Sequence, residues 1–395
     1  MKGDTTDRLF DRFGGRFVTE ALWTPLEEVG EAFEKARDDA AFEESFEQLL
    51  DRRLGRPTPL TLLNRLTESL DGGRLWLKRE DLCATGNFTG TLAVGYGLMA
   101  ERMGRTELIG ETATGDFGCA LASVGNALGL ETRVFMGRED REREPMMVSR
   151  MEHLGADIET VDTNLRGRKA ACAEALRFWA THSSSAVYCA SSLASPDPYP
   201  RMIAHFLSVI GAECERQIDD EVGEPEYVIA PVGSGGFAAG MFSKFIDHQD
   251  VQLVGVEGAG EGLEGRHAAS VVGGRPGVYH GTHSYLLQDG DGQVVSPASI
   301  AGGLSVPNVG PQHASWAERG RVHYVSVTDE EALEGVETLL EHEGLLVSLE
   351  AGHALAYALK LLPTLGGGQD VVVGISGGGL REMGRLEAYE LEGED

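Results

Sequence analysis

The sequence predicts an α/β fold around a mostly parallel sheet covered on both faces. Three observations carry this. Short continuous apolar runs recur along the chain, at Glu107–Gly110, Arg133–Met136, Glu226–Pro231, Val251–Glu257 and Val371–Ile375. Several of them end in Gly-rich or Gly/Thr loops, Thr112-Ala113-Thr114-Gly115, Gly233-Ser234-Gly235-Gly236 and Ser376-Gly377-Gly378-Gly379. Stretches of helical periodicity lie between them. Strands buried on both faces read as apolar runs rather than alternations, and loops at their carboxyl ends commonly hold ligands.

The elements follow in order. Residues 24–54 carry apolar residues at helical spacing between charged faces and predict two surface helices. Gly55-Arg56-Pro57-Thr58-Pro59-Leu60 breaks that pattern, and LTLLNRLTESL (60–70) reads as the next helix. Asp71-Gly72-Gly73 turns the chain into the strand Arg74–Lys78. Further on, Pro145–Leu154 and Leu165–Thr181 read as helices, and Asp157–Val161 and Ala186–Cys189 as strands. The tail Gly393-Glu394-Asp395 reads as a frayed end.

Composition narrows the function. A net charge of −29, from 63 acidic and 34 basic residues, disfavours phosphate backbones and anionic membranes as partners. The chain has six lysines, and such an acidic, lysine-poor balance matches halophile surfaces, where concentrated salt screens self-repulsion. No apolar run approaches the ~18 residues of a membrane span. The start MKGDTTDRLFDRFGG lacks an apolar signal core, so the cytoplasm is the expected location. Five scattered cysteines form neither a disulfide framework nor a zinc pattern, and the histidines show no metal-ligand spacing, so no metal site is expected.

Three loops are candidates for a site. The 233–236 loop could cradle a phosphate on backbone N–H groups or could be a tight strand–helix turn. Glu111-Thr112-Ala113-Thr114-Gly115 could hold a carboxylate with Glu111 as general acid or base, or could be a capping turn. Ser376 offers a hydroxyl at a third strand end, in what on its own is a turn.

Ordered matches nearly end to end then give a family resemblance. They include Phe13-Gly14-Gly15-Arg16-Phe17-Val18, Gly55–Leu60, Leu77-Lys78-Arg79-Glu80-Asp81-Leu82 and Glu174-Ala175-Leu176-Arg177. Pro198-Tyr199-Pro200, Val254-Gly255-Val256-Glu257, Val309-Gly310-Pro311-Gln312-His313 and the Glu350–Ala356 helix complete the series. The chain thereby resembles the tryptophan synthase beta chain, a pyridoxal-phosphate enzyme of fold type II. The resemblance implies two doubly wound α/β domains, residues 1–54 plus 88–205 and 55–87 plus 206–395, with the cofactor between them. It implies a homodimer, an alpha-chain partner supplying indole, and a mobile communication segment around residues 104–190. The family reaction joins L-serine and indole into L-tryptophan. Glu111 matches the family's acid/base glutamate, and Thr112, Ala113, Thr114 and Gly115 its substrate-carboxylate loop. Gly233, Ser234 and Gly235 match the phosphate loop, Ser376 the hydroxyl facing the pyridine nitrogen, and Glu350 a glutamate near the cofactor.

The departures cluster at the chemistry. The Schiff-base lysine is Thr89, and the neighbouring phosphate-binding histidine is Phe88. The Ser-Asn closing the phosphate loop is Gly236-Phe237, the Gln-His of the carboxylate loop is Asp116-Phe117, and the aspartate near the substrate hydroxyl is Ser305. A threonine cannot form a Schiff base or shuttle a proton as an amine does. Lost donors and two added phenyl rings weaken a site for a dianion. Asp116 would repel a nearby carboxylate by roughly 1–4 kcal/mol. Lys78 belongs to the shared KRED segment and Lys244 lies two turns into a helix. The expectation is a beta-chain relative that no longer runs the family reaction. It would be a pseudoenzyme regulating or pairing with an active beta chain, or a binder of another small ligand; an active pyridoxal-phosphate enzyme working by an unusual route is the alternative.

Overall fold

The computed structural model describes residues 9–70, 72–163 and 167–387. Residues 1–8, Asp71 in the expected turn, Leu165 and Arg166 in the expected helix, and the Gly393–Asp395 tail lie outside them. Strands are numbered β1 (Leu9–Phe10), β2 (Phe13–Gly14), β3 (Leu60–Leu62), β4 (Arg74–Arg79), β5 (Glu107–Thr112), β6 (Glu131–Gly137) and β7 (Asp157–Val161). They continue as β8 (Ala186–Cys189), β9 (Tyr227–Pro231), β10 (Gln252–Gly260), β11 (Arg275–Tyr279), β12 (Thr282–Leu286), β13 (Val322–Thr328) and β14 (Asp370–Ile375).

Two sheets carry the architecture. One has the order β13-β10-β9-β14-β4-β3 and is parallel except for β3; the other, β7-β6-β5-β8, is wholly parallel. A small antiparallel sheet, β1-β2-β12-β11, joins the start of the described chain to the 275–286 hairpin. The apolar runs sit where the sequence puts them, and every residue of β5, β8 and β14 is buried.

At the amino end two helices form, Trp23–Arg37 and Ala40–Leu49. Asp39 caps the second by accepting a bond from the Ala41 N–H. Each buries one apolar stripe, Leu26, Val29 and Phe33 on the first and Phe42 and Phe46 on the second. The helix expected over 60–70 is shorter. Leu60–Leu62 instead pairs antiparallel with Lys78, Leu77 and Trp76, and the helix runs from Asn64 to Leu70. Pairing with the open edge of β4 satisfies backbone groups that a helical start there would leave facing a sheet edge.

The segment before β3 is fastened by a buried ion network. Arg56 forms paired bonds to Glu80 (2.6 and 2.9 Å) and to Glu213 (3.0 and 3.1 Å). The Lys78 ammonium, fully buried, donates to Glu213 and to the Thr58 carbonyl, each at 2.7 Å. Two cations face two carboxylates, so each buried charge is compensated. Lys78 is thereby spent on the scaffold.

Glu257 on β10 is also fully buried, accepting from the N–H groups of Val271 (2.9 Å) and Val272 (3.0 Å) and from the Ser270 hydroxyl (3.2 Å). Burial outweighs these bonds and lifts its pKa from 4.5 to about 7. Between those values the folded chain binds more protons than the unfolded one, so this group's contribution to stability falls as pH rises through the window. The difference amounts to about 3 kcal/mol at 1.36 kcal/mol per pH unit. Urea unfolding from pH 4.5 to 8 should show this slope in the wild type and its loss in Glu257→Gln.

Candidate functional site

The loops after β4, β5, β9 and β14 converge on one cavity of about 1010 Å³. It is lined by all of the sequence-nominated residues except Gly115: Phe88, Thr89, Glu111, Thr112, Ala113, Thr114, Asp116, Gly233, Ser234, Gly235, Gly236, Phe237, Ser305, Glu350 and Ser376. Gly115 shapes the wall from behind. Its φ of +84° turns β5 into the helix Asp116–Leu128, and a Cβ there would sit 2.4 Å from the Met147 Cβ. Gly235, with φ +91°, plays the same part before the helix Gly236–Phe242, pressed against the His313 ring. His313 is buried and bridges the Gly235 carbonyl (2.8 Å) and the Tyr324 hydroxyl (2.7 Å). Burial pulls its pKa down to about 4, so the ring is neutral near pH 7.

Glu111, at the end of β5, is almost fully buried. It accepts from the Tyr188 hydroxyl (2.7 Å) and the Ser191 hydroxyl (2.8 Å), and Arg168 lies 3.7 Å away. Burial, with Cys172 and Glu111 beside it, pushes Tyr188 well above its ordinary pKa, so its O–H stays a donor.

Thr89 opens the helix Thr89–Arg102. The Asn87 side-chain oxygen accepts from the Thr89 N–H (3.0 Å) and from its hydroxyl, so the threonine is absorbed into a local cap. Next to it the Phe88 and Phe237 rings pack together, centroids 5.3 Å apart and tilted by 47°. Phe237 is buried at the start of the Gly236–Phe242 helix, and its ring lies 2.8 Å from where a Cβ on Gly374 would be.

Asp116 is not a bare charge, as the sequence alone suggested. Arg381 donates to it at 2.6 Å, Thr114 at 3.1 Å and the Asn87 amide at 3.2 Å. Arg381 also reaches Glu350 (3.3 Å), which accepts from the Gly303 N–H at 2.8 Å. Burial raises Glu350, but Arg381 and the Gly303 N–H outweigh it and hold the group below its ordinary value. The Ser376 hydroxyl stands 3.4 Å from that of Ser348, and Ser305 donates to the Pro297 carbonyl at 3.4 Å.

Sequence reasoning missed Arg381, Asn87, Ser191, Arg168 and Lys169. Lys169 also lines the cavity, its ammonium 5.4 Å from the centre of the Tyr279 ring. In a chain with six lysines, its place beside Arg168 was the available signal. Among the described residues, no group of three or more His, Cys, Asp or Glu could hold a metal ion.

Two parallel sheets with Gly-rich loops meeting at one cavity define an α/β cofactor enzyme fold, and residues 52–377 match the pyridoxal-phosphate dependent enzyme family. The chain is 44% identical over 379 residues to the tryptophan synthase beta chain of Methylibium petroleiphilum, covering 95% of this chain and 92% of that one. It is 42% identical over 388 residues to that of Shouchella clausii, covering 98% and 97%. The chain therefore belongs to the tryptophan synthase beta chain family of pyridoxal-phosphate dependent enzymes. A fungal L-serine ammonia-lyase from Rhizomucor miehei shares the fold, with a TM-score of 0.65 and 22% identity over 85% of this chain and 98% of that one.

The residues present do not fit pyridoxal phosphate held in the family's way. Position 89 offers a hydroxyl bonded to Asn87, which cannot form a Schiff base, and the Phe88 and Phe237 rings pack together beside the 233–236 loop. The ring pair serves as core. Phe237→Ala should cost about 3–5 kcal/mol of stability, as large aromatic truncations do. Thr89→Ala, which removes the hydroxyl bond to Asn87 and keeps the backbone one, should cost about 1 kcal/mol. Urea unfolding of the two variants measures both.

Proposed function

We propose that this beta-chain relative does not carry out the condensation of L-serine with indole and acts as a pseudoenzyme, a regulatory or ligand-binding paralogue. The observation that carries the reading is Thr89, whose hydroxyl is tied to Asn87 where the family's reactive amine would stand. The change of Ser305 and the Phe88–Phe237 pair support it, because a single lost lysine would leave the rest of a working site in place.

Several further assignments belong to the same proposal. The chain forms a homodimer of two-domain subunits divided at 1–54 plus 88–205 and 55–87 plus 206–395. It works in the cytoplasm of a salt-adapted cell and contacts a tryptophan synthase alpha chain or an active beta chain. The acidic, lysine-poor composition supports the salt adaptation. Among the described residues no helix is long and apolar enough to cross a membrane.

A second reading, an active beta chain working by an unusual route, is favoured by the intact Glu111 cluster and by Lys169 in the cavity wall. One assay separates the two. Purified protein in concentrated salt, given pyridoxal phosphate, L-serine and indole, should make no tryptophan above the protein-free mixture; sustained turnover would overturn the proposal. Thr89→Lys alone should also stay inactive, because the rim remains apolar. Thr89→Lys combined with Phe88→His, Gly236→Ser and Phe237→Asn should recover a visible cofactor absorption band.

A further inference from the structure

The helix Pro145–His153 buries its apolar side chains outside the main core. With β6 and one face of the helix Asp116–Leu128 it encloses a small cluster of its own, Cys119, Val134, Met136, Met147, Val148 and Met151. Among the described residues, the two larger apolar clusters contain none of these side chains. A layer with so few buried apolar groups is where local opening costs least. It also forms part of the cavity wall, through Asp116 and through Asp140 and Arg143 of the adjoining helix Arg138–Arg143.

What grips this layer from the other side of the cavity is ionic. The turn Leu380–Glu382 after β14 and the residues that follow it carry Arg381 and Arg385, both in the cavity lining. Glu382, fully buried, pairs with both guanidiniums and fixes them on their own side, Arg381 at 2.7 Å. Glu350, in the first turn of the helix Leu349–Leu361, gives Arg381 a second anchor at 3.3 Å. From these anchors Arg381 reaches Asp116 at 2.6 Å, and Arg385 reaches Glu144 at 2.8 Å. Asp116 is the first residue of one helix of the layer, and Glu144 stands directly before the other. The Asn87 amide, on a backbone bridged to Gly377 after β14, joins the grip on Asp116 at 3.2 Å. Burial works against the charge on Arg381, but Asp116, Glu350 and Glu382 outweigh it, so the guanidinium stays charged.

We propose that Arg381 and Arg385, anchored together on Glu382, form a clasp that holds the layer from Asp116 to His153 closed over the cavity, and that parting these two ion pairs opens it. Both pairs run from the segment after β14 to the layer built on β5 and β6, so neither survives a movement of that layer away from the turn. Both are also largely shielded from solvent. Concentrated salt, which screens exposed pairs, therefore leaves the clasp in force. The inference goes beyond the loss of chemistry at position 89, because the clasp involves neither that residue's side chain nor a bound cofactor.

Hydrogen exchange read by mass spectrometry, on the full chain in concentrated potassium chloride at one fixed pH, tests this. In the double variant Arg381→Gln, Arg385→Gln, the amides of Asp116–Leu128 and Pro145–His153 should exchange about tenfold faster than in the wild type, while those of β9 and β14 keep their rates. Arg138→Gln, which removes an exposed pair with Asp162 in the same part of the chain, should leave both helices unchanged. If the double variant does not fold, Glu144→Gln cuts the Arg385 pair from the other side and should speed exchange in Pro145–His153. Unchanged exchange in these helices of a folded clasp variant, equal acceleration of β9 and β14, or the same acceleration in Arg138→Gln would overturn the proposal.

Discussion

The site stands on the buried pairing of Arg56 and Lys78 with Glu80 and Glu213. It ties the segment entering β3, the carboxyl end of β4 and the long helix Tyr199–Glu221 into one rigid corner. Such a pairing contributes little net stability, but losing one partner leaves a buried charge alone at a cost of about 3–5 kcal/mol. The loop leaving that corner carries Asn87, Phe88 and Thr89 to the cavity. Lys78 can neither leave the corner nor serve the cavity, so the chain has no reserve amine on that side.

Different groups shape the loops of this chain and face its cavity. The groups that shape the loops are in place: Gly115 and Gly235 at positive φ, His313 behind the Gly235 carbonyl, and Glu111 held by Tyr188 and Ser191. The side chains at the cavity surface bond to one another. Phe88 and Phe237 close on each other, Thr89 donates to the Asn87 side-chain oxygen, and Asp116 recruits Arg381. Family membership therefore fixes the fold, while chemistry follows the atoms at the cavity surface.

Much of this was legible in the sequence, for identifiable reasons. Buried parallel strands announce themselves as apolar runs, so β5, β6, β8, β9 and β14 could be read directly, and the loops after β5, β9 and β14 gave part of the cavity lining. β3 could not, because Leu60-Thr61-Leu62 becomes a strand only when the edge of β4 is beside it. β13 was missed because its residues are largely half-exposed, with His323 and Tyr324 interrupting the apolar run. Arg381 lies 265 residues from Asp116 in sequence, so no local pattern could pair them, and a repulsion expected from one side chain proved to be a shared charge network. The contact between Phe88 and Phe237 is likewise a property of the fold alone.

The most direct test treats the protein with pyridoxal phosphate and then borohydride, and maps any adduct by peptide mass spectrometry. A chain with threonine at position 89 should carry no stoichiometric cofactor adduct on any cavity residue, and Thr89→Lys accompanied by the three rim changes should carry one at residue 89. A stoichiometric adduct on Lys169 of the unmodified sequence would contradict the proposed loss of Schiff-base chemistry outright.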